Sequence, residues 1–239
     1  MRHWRPLIIA HRGASGVAPE STAPAIREAV RARADMVELD VQMTSDRRLI
    51  VFHDDRLNRT TNGSGVVRRT RASAIARLDA GTWFHPRFAG ERVLSVAHAL
   101  RLIPERMQVN FELKRTPQRG ALISRLLRLL RRTGHAQRLV ISSFDARFLR
   151  FLRATPLRRA LICRRHPDAS LRLAVRLGCE AWHPMEALVT PARVRRAHAA
   201  GLRVHAWTVD DPRRLGRLLR AGVDGVFTNH PARLRRALS

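Results

Sequence analysis

The sequence predicts an α/β protein, a single (β/α)8 barrel, and three observations carry that expectation. The chain has 239 residues, close to the ~250 that a one-domain barrel needs and too few for two large domains. Short, almost continuously apolar runs alternate with longer segments of helical period, as strands buried on both faces do when helices cover them. A doubly wound open sheet would carry a glycine-rich turn after its first strand, and His11-Arg12-Gly13 stands there instead.

The elements follow in order. Apolar runs predict strands at residues 7–10, 36–41, 49–52, 108–113, 139–142, 160–163, 181–183, 203–207 and 225–228. Helical patterns fall at 22–33, with Thr22 as N-cap, and at 95–103, 118–132, 146–154, 169–177, 192–200 and 212–221, with a last short helix at the C-terminus. Nine strands against eight helices leave one strand over. Between residues 41 and 49 there is no room for a crossover helix, so these two strands are expected to pair as a hairpin around Asp46, with His53 across from Glu38. Eight units then close the barrel, an irregular closure being allowed. Periodicity fades after Asp54, so residues 54–106 are expected to form a small insertion, with a short helix, inside one domain of residues 1–239.

Composition narrows the classes. Hydrophobic residues make up 45% of the chain and charged residues 27%, which fits a globular fold rather than a disordered one. Cys163 and Cys179 form no C-x-x-C pair, so neither a disulfide framework nor a cysteine zinc site is expected. No apolar run approaches the ~18 residues of a membrane span, and a soluble cytoplasmic protein is expected. The formal charge of +27 attracts polyanions in general, so weak association with an anionic membrane is allowed. Of 46 cationic side chains only Lys114 is a lysine, and the arginines lie everywhere rather than in one stripe. A nucleic-acid-binding protein is therefore the weak rival: the chain has no tyrosine, 5% aromatics and no recognised binding motif.

Chemistry in a parallel barrel sits where strands end, and polar residues gather there. His11 and Arg12 end the first strand, Glu38 and Asp40 share one face of the second, and His53 ends the third. Glu112 and Lys114 share a face of the fourth. Three facing carboxylates repel unless a cation or protons neutralise them, and their oxygens suit Mg²⁺ or Ca²⁺. Two histidines supply an acid and a base near neutral pH, and Arg12 offers a planar fork to a phosphate. Together these parts describe phosphoester cleavage.

The sequence resembles the glycerophosphodiester phosphodiesterases over nearly its whole length. His11-Arg12-Gly13, Pro19-Glu20-Ser21-Thr22 and Glu38-Leu39-Asp40-Val41 match the first family motifs in order. Val51-Phe52-His53-Asp54 with Leu57-Asn58-Arg59-Thr60-Thr61, then Phe111-Glu112-Leu113-Lys114, continue the match. Ser142-Ser143-Phe144, Trp207-Thr208-Val209 and residues 224–229 complete it. The resemblance implies a TIM-type barrel with a small insertion after the third strand. It implies His11 and His53 as the acid–base pair, Glu38, Asp40 and Glu112 as ligands of Mg²⁺ or Ca²⁺, and Arg12 and Lys114 on the phosphate. Glu20 and Trp207 become candidates for substrate contact. The implied reaction releases glycerol phosphate and an alcohol after the substrate's own glycerol hydroxyl attacks phosphorus. A lysophospholipase D-like activity on membrane lysolipids is the alternative, with the arginine–leucine helix at 118–132 on the membrane and Trp83, Phe84 and Phe88 along a lipid groove. One departure stands out: the family usually has Asn where Ser21 stands.

Overall fold

A computed structural model describes residues 5–238. Eight parallel strands form a closed ring: β1 (Leu7–His11), β2 (Met36–Met43), β4 (Gln108–Leu113), β5 (Leu139–Ser143), β6 (Arg158–Cys163), β7 (Ala181–Pro184), β8 (Arg203–Ala206) and β9 (Gly225–Thr228). Each pairs with the next, and β1 pairs with both β9 and β2, so the ring has no open edge. Helices connect the strands, and the fold is a TIM barrel. The strand left over is β3 (Leu49–Val51), which runs antiparallel against β2 outside the ring.

The hairpin forms as its length requires, with one correction in register. Val41 pairs with Val51, Gln42 with Ile50 and Met43 with Leu49. The Phe52 amide donates to the Asp40 carbonyl, so His53 follows one residue out of step with the expected pairing to Glu38. The pairs are symmetric about Asp46, the expected turn centre, and that symmetry sets His53 opposite Leu39 rather than Glu38; β2 itself runs on to Met43, two residues beyond its predicted end.

Two large apolar clusters lie between the ring and its helices. A smaller one takes Ile9, Met36, Val140, Ala160, Ala181 and Phe227 from six strands of the ring, as an interior layer does. Helix α4 (Arg119–Thr133) turns Leu122, Ile123, Leu126 and Leu130 into the first cluster, and each fully buried leucine contributes about 1.5–3 kcal/mol. The leucine stripe of the arginine–leucine helix is thus core. In the insertion Trp83, Phe84 and Phe88 stack edge-on in series, and Ile50, Phe52, Leu57, Val67 and Ile75 make a separate small core beneath. No helix among the described residues is long and apolar enough to cross a membrane. Both cysteines are buried and free.

The turn after β1 is tightly specified. Arg12 and Gly13 both take left-handed backbone, at φ 56° and 79°. A Cβ on Gly13 would meet the backbone carbonyl carbon of Ala25 at 2.6 Å, so only glycine fits. Helix α1 (Ala23–Arg31) follows. Thr22 occupies its N-cap as expected but does not cap with its side chain; the hydroxyl donates to the Pro19 carbonyl at 2.6 Å instead.

Candidate active site

Strand register assembles the site. His11 lies beside Glu38 and Glu38 beside Asn110, while one step further along Asp40 lies beside Glu112 and Glu112 beside Ser142. Alternation turns Glu38 and Asp40 to the same face of β2, so neighbouring strands stack carboxylates at two adjoining levels. Oxygens of Glu38, Asp40 and Glu112 come within 4.8 Å of one another.

Glu38 and Asp40 are buried, Glu112 is partly so, and the cluster is incompletely satisfied. Burial, then Asp40 and Glu112, push the Glu38 carboxyl well above its usual range. Burial and Asp40 raise Glu112 in the same way. Asp40 goes the other way: burial would raise it, but the cations of Lys114 and Arg12 outweigh that and hold it low. Glu38 Oε1 and Asp40 Oδ2 are buried without a hydrogen-bond partner. Arg12 Nε stands 3.3 Å from that Asp40 oxygen, close enough to pair in charge but misaligned for a bond. Two orphaned carboxylate oxygens beside a third carboxylate, Glu112, suit a small hard cation, so these residues fit Mg²⁺ or Ca²⁺.

The two cations lean into the cluster. Lys114 Nζ lies 2.7 Å from Glu112 Oε1 and 3.2 Å from Asp40 Oδ1. Burial would lower the lysine's pKa, yet Asp40 and Glu112 raise it above normal, so it is charged. The Arg12 backbone amide donates to Glu38 Oε2 at 2.9 Å, and its guanidinium donates to Glu20 at 3.1 Å.

Each histidine has one ring nitrogen tied and one left over. His11 Nδ1 lies 2.8 Å from Asn229 Oδ1, and the Asn229 amide nitrogen donates to Asp210 at 2.7 Å. The Asp210 carboxylate therefore fixes which end of Asn229 faces His11, and His11 Nδ1 carries the proton. Burial first, then Arg12, lower the His11 pKa to about 4. His53 Nδ1 instead faces the Asp54 carboxylate at 2.5 Å. Burial lowers His53 too, while Asp40 and Asp54 work to raise it. Arg59 clamps Asp54 through Nε at 2.6 Å and reaches Glu20 at 2.7 and 2.9 Å. Asp40, Arg12, Glu20, Arg59 and Asp54 thus form one alternating chain of charge that ends on the His53 ring.

His11, Arg12, Glu38, His53, Glu112, Lys114 and Trp207 line a single cavity of about 270 Å³. Asp40 lies beneath it, fully buried between Lys114 and Arg12. Glu20 stands behind Arg12 as a bridge to Arg59, away from the cavity lining. Trp207 walls the cavity, its indole N–H donating to the His183 carbonyl and its ring edge-on to Phe144 at 5.7 Å. A larger open groove of about 670 Å³ adjoins it, sharing His53, Glu112, Lys114 and Phe144. Sequence reasoning did not nominate Asn229, Asp210 or Arg59 for the site. Two of them lie inside matched motifs, which is the only signal the chain offers for them. Ser21 sits buried at φ 62° with its hydroxyl unpartnered. Asn adopts left-handed backbone more readily than Ser, which accounts for the usual family residue there.

Comparison with known proteins agrees with this arrangement. The model of the glycerophosphoryl diester phosphodiesterase family matches residues 11–233. A glycerophosphodiester phosphodiesterase of Caldanaerobacter subterraneus is 34% identical over 238 residues, covering 96% of each chain. One from Bacillus subtilis is 33% identical over 248 residues, covering 95% of this chain and 84% of that one. Among solved structures, a phosphodiesterase of Oleispira antarctica in complex with the product sn-glycerol-3-phosphate superposes with a TM-score of 0.91. It is 30% identical and covers 98% of this chain and 96% of that one. With the barrel, the buried acidic cluster and the histidine pair already in place, these matches establish that the chain belongs to the glycerophosphoryl diester phosphodiesterase family.

Proposed function

We propose that the chain hydrolyses glycerophosphodiesters to glycerol phosphate and a free alcohol, with His11 and His53 as the acid–base pair and Glu38, Asp40 and Glu112 holding Mg²⁺ or Ca²⁺. The observation that carries this reading is the convergence of both histidines, Arg12, Lys114 and two of the carboxylates on one cavity, with Asp40 beneath it. The Oleispira relative, with its bound glycerol phosphate, supports the same substrate class.

The side chains divide the work. His11, neutral at pH 7 and tied through Nδ1 to a neutral amide, offers Nε2 to take the proton of the glycerol hydroxyl. That hydroxyl oxygen attacks phosphorus. His53, whose imidazolium the Asp54 carboxylate stabilises, gives its proton to the departing alcohol. Water then opens the cyclic phosphate with the two roles exchanged. Arg12 and Lys114 hold phosphoryl oxygens, Arg12 as a planar fork and Lys114 as a point charge. A divalent cation at the three carboxylates, when bound, neutralises phosphoryl charge and lowers the pKa of the attacking hydroxyl.

The test is product release from glycerophosphocholine, glycerophosphoethanolamine, glycerophosphoinositol and lysophosphatidylcholine, with and without divalent metal. Glycerol phosphate from the water-soluble diesters is the expected result. Turnover of lysophosphatidylcholine alone would transfer the activity to lysolipids.

A further inference from the structure

We infer that Arg164 selects the alcohol arm of the substrate by charge, disfavouring head groups that carry a quaternary ammonium. The inference deepens the phosphodiesterase reading and rests on it. Arg164 follows β6 directly, at the strand end where the chemistry gathers, and it lines the cavity that holds His11, His53 and Lys114. Its guanidinium carbon lies 5.6 Å from the Trp207 ring centroid and 5.8 Å from that of Phe144. Among the described residues no carboxylate pairs with it.

These contacts decide what the aromatic wall can bind. Two rings set edge-on at a mouth would seat a quaternary ammonium by cation–π attraction. Here the guanidinium already occupies that attraction, and its charge is not cancelled by a neighbour. A second cation arriving at the wall meets repulsion where the bare rings would have offered a seat. A neutral or anionic arm meets free N–H donors instead. Phe144 also lines the larger groove, so an arm leaving by either route passes the stack. The groove's own carboxylates do not reverse this: Arg59 pairs with Asp54, Arg119 and Arg147 pair with Asp145, Lys114 pairs with Glu112, and the lining holds Arg115 as well as Asp55.

The experiment compares kcat/KM for glycerophosphocholine and for the same diester with choline replaced by 3,3-dimethylbutanol, equal in shape and uncharged. Wild-type enzyme should prefer the neutral diester by at least about tenfold, or about 1.4 kcal/mol, the scale of two unit charges several ångströms apart at a wet surface. Arg164→Gln, which bares the rings, should bring the ratio to one or slightly past it toward choline, Arg164→Lys should keep part of it, and Arg164→Glu should invert it. Arg164 is exposed, so the variants should fold, which thermal melts check. A ratio unchanged across all variants overturns the inference. An equal fall for both diesters overturns it too, by placing Arg164 on the phosphate they share. Folded wild-type enzyme that cleaves neither diester would instead overturn the phosphodiesterase reading along with it.

Discussion

The two halves of the ring do different work. Strands β1 to β4 and the turns after them supply the acidic cluster, both histidines, Arg12 and Lys114. Strands β5 to β9 supply Ser142, Ile162, His183 and Phe227 to the same cavity, and Trp207 and Arg164 follow directly after them. Yet the first half does not stand alone. Asn229 and Asp210, from beyond β9 and β8, orient His11 on β1. That is possible because β9 pairs with β1 and closes the ring. Charged side chains are concentrated where strand register stacks them, and closure lets the quieter half hold His11 in place.

The largest effect is expected at the histidines. Replacing His11 or His53 by Ala should lower turnover by roughly 10²–10⁴-fold, the usual worth of a positioned proton carrier. The double variant should lose far less than the product of the two, since both serve one transition state. Steady-state kinetics read this directly, and near-normal turnover in either single variant would remove it from the pair.

The quieter half has a titration of its own. His183 and His205 are buried side by side, Nε2 to Nδ1 at 3.1 Å. Burial, with the neighbouring His205, drives His183 well below 6.5. Burial lowers His205 to about 4, with Asp224 opposing it and Arg203 and Arg158 assisting. Both are therefore neutral when folded, and the unfolded chain binds protons first. Their contribution is intact above pH 6.5 and falls away as pH drops toward 4, by about 3 kcal/mol for His205. Thermal melts across that window should show the loss, and His205→Gln should flatten the slope. An unchanged slope in that variant would place the acid sensitivity elsewhere.

Lys114→Arg sharpens the charged half. A guanidinium is longer and planar, and it would have to replace a compact ammonium 2.7 Å from Glu112 and 3.2 Å from Asp40. The kcat/KM should fall at least about tenfold, about 1.4 kcal/mol, with folding intact by circular dichroism. Wild-type kinetics would reduce Lys114 to charge balance.

The smallest effect belongs to Ser21→Asn. Relief of left-handed strain at φ 62° should raise stability by less than about 1 kcal/mol, visible as a small rise in Tm. A lower Tm would mean that the buried site is too tightly filled for the longer side chain.

What the sequence discloses follows from the reach of its signals. Period-two spacing places Glu38 with Asp40, and Glu112 with Lys114, because strand alternation is local. The missing crossover between β2 and β3 exposes the hairpin by length alone, while its exact register rests on the backbone pairs from Val41–Val51 to Met43–Leu49. The Asn229 link to His11 spans 218 positions and exists only once the ring closes. Arg164 is hidden differently: among 45 arginines nothing local marks it, and only the two rings beneath it do. His183 and His205 look like any strand residues until adjacent strands bring them together.

In the proposed reaction the buried Glu38 and Asp40 and the partly buried Glu112 hold a cation that the chemistry needs. Glycerophosphodiester hydrolysis by purified enzyme should be measured after chelation, then with Mg²⁺ or Ca²⁺ added back, alongside Glu112→Gln. Chelation should abolish activity, either or both metals should restore it, and Glu112→Gln should recover little at matched metal. Full turnover in the presence of chelator, equally in both proteins, would contradict it.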